Sequence, residues 1–413
     1  MVRGNRFALF ALILSQAMVL LRSAVIARAL GPEQYGIAAT FILLQQFLDS
    51  SSDTGLNKFV VAHAKGHQRT ILATAHAITL ARSLLIAALL MGVALPVFRA
   101  LDLPGDVLPF AVLAASVLCI GLTHYDGFRM QRSGDLSNIS LGNLLADVLA
   151  TGAAVLLVLV DQSYMVAIYV ILAKSLTATL MSFLLARRPY RIAFDRPSAA
   201  TIWAYSLPLM VNGPILFFSA QSERLAGATL LPAEQLGIYT AALLLIYTPT
   251  QLFQRFLSTV FLPQMSREVR ETGRHGPRFA LLTFGSAVVM AAGYAVAGQW
   301  LILLIFGTAY RLDWQIVSII GLTQAVRFSR SWCSGVALAY GVTGSIPAAN
   351  SLRLVLLPLC MVGGWTLDGM RGLAIGALAG ESIAMAHATW SVRRAIARRA
   401  ASPPSERPSS LPE

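Results

Sequence analysis

Gly31-Pro-Glu-Gln-Tyr-Gly-Ile37 and Leu231-Pro-Ala-Glu-Gln-Leu-Gly-Ile238 share the pattern Glu-Gln-X-Gly-Ile, at 33–37 and again at 234–238. The offset, 234 − 33 = 201, is close to half of the 413-residue chain. Each copy lies between two long apolar runs. Four matched positions can coincide by chance; read as a true repeat, they divide the chain into two similar halves.

Composition says what kind of halves these are. The chain is 56% hydrophobic and only 12% charged, about half the charged fraction of a soluble domain. That excludes a soluble enzyme, a disordered protein and a secreted disulfide scaffold. Apolar runs between Gly, Pro and charge clusters predict twelve helices, at 5–30, 36–57, 73–95, 107–125, 139–160, 164–186, 201–222, 235–262, 279–306, 314–341, 346–366 and 371–397. Twelve spans of roughly 20 residues would occupy about 240 residues and leave short connections. The expected fold is therefore an all-α polytopic membrane protein. An even number of helices per half makes the halves parallel repeats about an axis along the membrane normal, two six-helix bundles around a central cleft. The expected division is 1–196, 197–399 and a Ser/Pro-rich, disordered cytoplasmic tail at 400–413. Arg3 and Arg6 precede an apolar run that continues to Leu30 without a cleavage signature, so it reads as a retained first helix.

The net charge of +13 would suggest nucleic acid in a soluble protein, but here the basic residues fall between apolar runs and orient helices. With the N-terminus inside, internal segments hold twenty Lys and Arg and external ones five: Arg28, Arg99, Arg224, Arg311 and Arg371. The asymmetry predicts both termini cytoplasmic. Cys119, Cys333 and Cys360 are far apart in apolar segments and read as small hydrophobes, with no metal spacing.

Seven bases remain inside the predicted helices: Arg22, Arg82, Lys174, Arg255, Arg327, Arg330 and Arg353. The acids there are Asp49, Asp53, Asp147 and Glu381, a balance of 7 − 4 = +3. A charge at the bilayer centre costs about 2.5–3.5 kcal/mol even on the lenient insertion scale, so these groups are expected to face a water-filled cleft. Asp49 and Asp53 are four apart, and Arg327 and Arg330 three apart, so each pair shares a helix face. A net-positive cleft selects anions, and planar guanidinium forks match phosphate oxygens. Blander readings stand beside this. Arg22 snorkels from a helix end, Lys174 pairs with Asp147, Arg255 belongs to the cytoplasmic end, and Asp49 with Asp53 caps a loop. His124 with Asp126 reads either as a proton relay or as a helix end.

Catalytic signatures are sparse: the chain has no P-loop, HExxH, GxSxG or CxxC pattern. A membrane-embedded glycan polymerase or glycosyltransferase would need external catalytic loops, where Glu33, Asp102, Asp106 and Glu234 are the candidates.

Arg28-Ala-Leu-Gly-Pro-Glu-Gln-Tyr-Gly36 followed by Asp53-Thr-Gly-Leu56 resembles the N-terminal signature of the polysaccharide-export flippases. These are the Wzx-type branch of the multidrug/oligosaccharidyl-lipid/polysaccharide (MOP) superfamily. Glu223-Arg224 before Leu236-Gly-Ile-Tyr-Thr-Ala241, then Pro263 and Phe306-Gly-Thr-Ala-Tyr310, are similar to the second half of that family's pattern. The resemblance implies a twelve-helix transporter that moves an undecaprenyl-diphosphate-linked oligosaccharide across the bacterial cytoplasmic (inner) membrane by alternating access, without enzymatic chemistry or a cofactor. The product would be O-antigen, capsule or exopolysaccharide, with a polysaccharide polymerase and assembly proteins as partners, and a proton or sodium gradient as the drive. The family carries an acid at the outer end of the seventh helix, more often Asp, where this chain has Glu223. Arg22, Arg82, Arg327, Arg330 and Arg353 are the expected substrate-binding residues, from charge cost alone. Asp49, Asp53, Glu223 and Arg224 are the expected gating or ion-coupling residues. Alternatives within the superfamily are a lipid II flippase and a drug/cation antiporter, the latter expected to favour an acidic interior.

Overall fold

The computed structural model describes residues 2–51, 54–100, 107–272, 277–340 and 352–401. Its secondary structure there is helical, with no strand among the described residues. The helices are α1 (Val2–Ser51), α2 (Leu56–Ala62), α3 (Arg69–Ala100), α4 (Leu108–Gly121), α5 (Asp126–Arg132), α6 (Ser137–Leu157) and α7 (Met165–Leu184). They continue with α8 (Arg196–Leu230), α9 (Ala233–Thr272), α10 (Pro277–Phe306), α11 (Trp314–Ala339), α12 (Leu356–Thr366) and α13 (Gly369–Ala401). Each of the twelve expected segments overlaps one of these helices, although 52–53 of the second and 346–351 of the eleventh lie outside the described residues. The tail from 402 onward, Asp53, Asp102 and Asp106 lie outside the described residues.

The first two expected spans are the two arms of α1. Its apolar stretch Phe7–Ser50 is 44 residues long, which would reach about 66 Å if straight, twice the roughly 30 Å of a bilayer core. It is not straight, because Gly31 has φ 76° and ψ 170° and is followed by Pro32. A residue before proline is driven out of the helical region, and the positive φ suits only glycine. Six described helices are long and apolar enough to cross a membrane, or seven if α4 and α5, bent by 48°, form one span. Helices α8, α11 and α13 have the length, at 35, 26 and 33 residues; their charged residues lower their hydropathy. Val289, Val296, Trp300 and Leu304 on α10 are exposed, an apolar face that water would not tolerate and lipid would. The chain is a multi-pass membrane protein.

Contacts group the residues into two compact units. One runs to Phe217 and includes Ala233–Gly237; the other comprises Phe218–Pro232 and the chain from Ile238 onward. The expected boundary at 196/197 lies at the start of α8, which contributes to both. In the first unit Phe41 packs edge-on to Phe110 and stacks on Tyr164, joining α1, α4 and the start of α7. In the second, Met265, Phe279, Cys333, Val336, Ala388 and Val392 form a buried cluster joining α9, α10, α11 and α13.

The repeat has a structural counterpart inside the first unit. A Cβ added at Gly36 would overlap the Ala233 carbonyl, and one added at Gly237 would overlap the Pro32 carbonyl. Since 32 + 201 = 233 and 36 + 201 = 237, the two contacts are the same contact made reciprocally. Both copies are first turns of a helix arm, and glycine is what lets their backbones touch. Gly237→Ala is expected to lower the thermal midpoint by the equivalent of about 1–3 kcal/mol, as overpacking does. Gly285→Ala, where nothing stands within 4 Å, should leave it unchanged; equal midpoints for both variants would contradict the close contact.

Candidate functional site

Charges inside an apolar helix must find partners, because an isolated buried ion is far too costly. The second unit shows how this chain meets that demand. Arg327 on α11 donates from Nη2 to Glu223 Oε1 on α8 at 3.0 Å and from Nε to Glu381 Oε1 on α13 at 2.7 Å. Arg353, on the short 3-10 turn Leu352–Val355 ahead of α12, donates to the same Glu381 oxygen at 2.9 Å. Arg330 stands one turn beyond Arg327, its Nε 3.9 Å from Glu381 Oε2. Tyr239 on α9 donates its hydroxyl to Glu223 Oε2 at 3.3 Å, and the Arg327 guanidinium lies 5.3 Å from the Tyr247 ring centre. Glu381 is fully buried and Arg327 keeps 10% of its side-chain exposure. Three guanidinium groups and two carboxylates thus share one network, an excess of one positive charge.

The first unit carries a smaller version. Asp147 on α6 meets Lys174 of α7 at 2.7 Å and Arg22 of α1 at 3.4 Å, both through Oδ1. Two bases around one acid again leave an excess of one.

The remaining expected residues lie apart from these clusters. Arg82 on α3 lines a mostly apolar cavity of about 340 Å³ in the first unit, where Asn57, Thr79, Tyr125, Asn138 and Asn143 are the polar neighbours. Asp49 is half-buried near the end of α1, and Asp53 lies outside the described residues. Arg224, placed in an external loop by the sequence, is inside α8 and donates to Gln221 one turn back at 3.2 Å. The helix expected to end at 222 runs on to Leu230, because Ser222, Glu223 and Arg224 are polar through buried pairing, not through exposure.

Two groups have structural roles that the sequence does not show. Glu381 counted only as one embedded acid, yet three arginines converge on it; its signal was a lone carboxylate in an apolar helix. His76 and His124 are backbone clamps. His76 Nδ1 donates to the Arg191 carbonyl at 2.9 Å while its Nε2 accepts the Tyr125 N–H at 3.2 Å. His124 Nε2 donates to the Arg188 carbonyl at 2.9 Å while its Nδ1 accepts the Asp126 N–H at 3.0 Å. With both ring nitrogens of His124 tied to backbone, its pairing with Asp126 is a local fold contact. The connection from α7 to α8, which carries Arg188 and Arg191, ends where Asp195 accepts the Ser198 N–H at 2.9 Å near the start of α8; bonds from Ser198 hold the Asp195 carboxyl below the usual range.

Residues 25–312 match the family described as "Polysaccharide biosynthesis protein". The chain belongs to this family. The match takes in both copies of the repeat, Glu223 and Arg224, and ends before Arg327, Arg330, Arg353 and Glu381. Among solved structures, an inward-facing multidrug resistance MATE family transporter of the MOP superfamily is similar at TM-score 0.72 and 15% identity, covering 96% of this chain and 100% of that one. The lipid II flippase MurJ, in an inward closed conformation, is similar at TM-score 0.73 and 14% identity, covering 93% and 87%. The MATE transporter VcmN of Vibrio cholerae, in a bent form, is similar at TM-score 0.56 and 16% identity, covering 96% of each. No curated protein matches the chain. At these identities the likeness establishes the fold alone: this member of the polysaccharide biosynthesis protein family has the fold seen in these MATE and MurJ structures.

Proposed function

We propose that this protein flips an undecaprenyl-diphosphate-linked oligosaccharide across the bacterial inner membrane by alternating access, for surface polysaccharide biosynthesis. In this reading both termini are cytoplasmic, no covalent chemistry occurs, and a polymerase and assembly proteins act on the product. The observation that carries the reading is the excess of one positive charge in the buried Arg327, Arg330 and Arg353 cluster of a polysaccharide-family chain, with a second excess of one around Asp147, where the Lys174 side chain is exposed. Arg327, Arg330 and Arg353, with Arg22 and Arg82, would receive the diphosphate. Their carboxylates serve as placeholders: Glu223, Glu381 and Asp147 hold the cations until phosphate oxygens, which suit the same guanidinium forks, replace them. Asp49, Asp53, Glu223 and Arg224 would set gating or coupling to a proton or sodium gradient.

The same excess disfavours a drug/cation antiporter, which requires uncompensated carboxylates. Arg330 is one of the three cations around Glu381, so Arg330→Gln is expected to cut flipping at least tenfold in protein that still inserts. Arg327→Ala with Arg330→Ala should abolish surface glycan while the protein still inserts. Liposomes loaded with labelled lipid-linked sugar give the direct test. Unchanged sugar on the opposite leaflet supports the flippase, whereas longer glycan would make the protein a polymerase. Normal glycan output from the inserted double variant would sink the anion reading.

A further inference from the structure

The segment joining α7 to α8 reads Arg187-Arg-Pro-Tyr-Arg-Ile-Ala-Phe-Asp-Arg196, and it lies across the end of the first unit. It is stitched down there. Besides the two histidine clamps, the Arg187 N–H donates to Asp126 at 2.8 Å, the Arg188 Nη1 to the His67 carbonyl at 2.9 Å, and the Asp195 N–H to Thr74 Oγ1 at 3.2 Å. Under it is a cavity of about 250 Å³ lined by Arg69, Leu72, Ala73, His76, His124, Arg188, Pro189 and Arg191. Three arginines and two histidines are among its lining residues, and no acidic residue is.

The nearby acids are already engaged elsewhere. Asp126 is paired with Arg129 and with the Arg187 amide, Asp135 with Ser137 and Arg187, and Asp195 with Ser198. The histidines are equally committed, each as one neutral tautomer fixed by a backbone donor on one nitrogen and a carbonyl on the other. What the cavity offers a ligand is therefore the positive charge of Arg69, Arg188 and Arg191. Its inner wall is held by the clamped histidines, His76 and His124, which are 3% and 4% exposed. Immediately after Arg191, Ile192 and Phe194 are 53% and 65% exposed. An apolar pair beside a basic cavity is the composition of a segment that rests in a lipid interface.

We propose that this cavity is a phosphate-binding site at the membrane surface, taking the phosphate of an anionic phospholipid or of a soluble phosphate-bearing ligand. It shares no residue with the buried clusters and does not depend on the transport reading. Occupancy would bridge α3 and the α7–α8 segment, clamping the start of α8.

The test uses purified full-length protein, Arg69→Ala with Arg191→Ala, and Arg187→Ala. Arg187 belongs to the same basic run but does not line the cavity, so its variant controls for diffuse surface charge. Native mass spectrometry with phosphatidylglycerol reads the lipid source, and the thermal midpoint in inorganic phosphate reads the soluble source. Each basic residue near an anionic surface contributes about a factor of five, so the double variant should bind about 30-fold more weakly and Arg187→Ala no more than about fivefold. That pattern with phosphatidylglycerol assigns a lipid head group, and with inorganic phosphate a soluble ligand; either supports the site. If neither ligand distinguishes the double variant from the parent, or if Arg187→Ala loses as much, the proposal is overturned. Neither readout involves flipping, so its failure is separable from failure of the flippase reading.

Discussion

Glu381→Gln should be the most damaging single substitution in the second unit. The fully buried Glu381 carboxylate accepts from Arg327 at 2.7 Å and Arg353 at 2.9 Å, with Arg330 at 3.9 Å. Neutralising it leaves three guanidinium groups around an amide that can accept through one oxygen and donates through its nitrogen. Breaking a buried ion pair by removing one partner costs about 3–5 kcal/mol, and here one residue serves three. The expected result is a loss of at least that size, seen as a lowered thermal midpoint in detergent, together with loss of flipping. Glu381→Asp, which keeps the charge but shortens the reach, should recover part of both. An unchanged midpoint for Glu381→Gln would mean that the arginines do not depend on this carboxylate.

The second large effect is a rescue. Arg327→Gln removes the group that Glu223 and Glu381 share. Glu381 keeps Arg353, but Glu223 retains only the Tyr239 hydroxyl at 3.3 Å among the charged and polar contacts described above. A buried carboxylate so placed is expected to cost about 3–5 kcal/mol. Glu223→Gln added to Arg327→Gln removes that stranded charge, so the double variant should be more stable than Arg327→Gln alone. Coupling between contacting residues is commonly about 0.5–3 kcal/mol. Transport should stay absent in both variants, because stability returns without the cation that receives phosphate. Strict additivity of the two midpoints would deny the Arg327–Glu223 contact.

Much of this architecture was legible in the sequence, and the reasons differ by element. Long apolar runs place helices because water excludes them whatever the partner, so α3, α4, α6, α7, α9 and α10 follow from composition. Gly31-Pro32 marks the break in α1 for stereochemical reasons that are local. The end of α8 was misplaced since Ser222-Glu223-Arg224 has the polarity of a loop, and only the position of Arg327, 104 residues later, explains why it is helix. Arg327 and Arg330 stood out by the cost of their charge, but the identity of their partner did not. Which acid meets which base is decided by helix packing, and the convergence on Glu381 joins residues 28 and 54 positions apart. The pairing of Lys174 with Asp147 was within reach, because the two lie on successive helices.

The central claim is that buried cations in excess of their carboxylates recognise a diphosphate head group. Its most direct test is the affinity of purified protein for undecaprenyl diphosphate against undecaprenol, measured by native mass spectrometry on the parent chain and on Arg327→Ala with Arg330→Ala. The account predicts at least tenfold tighter binding of the diphosphate by the parent, and a difference that collapses in the double variant. Equal binding of the two lipids by the parent, or a preference that survives loss of both arginines, would contradict it.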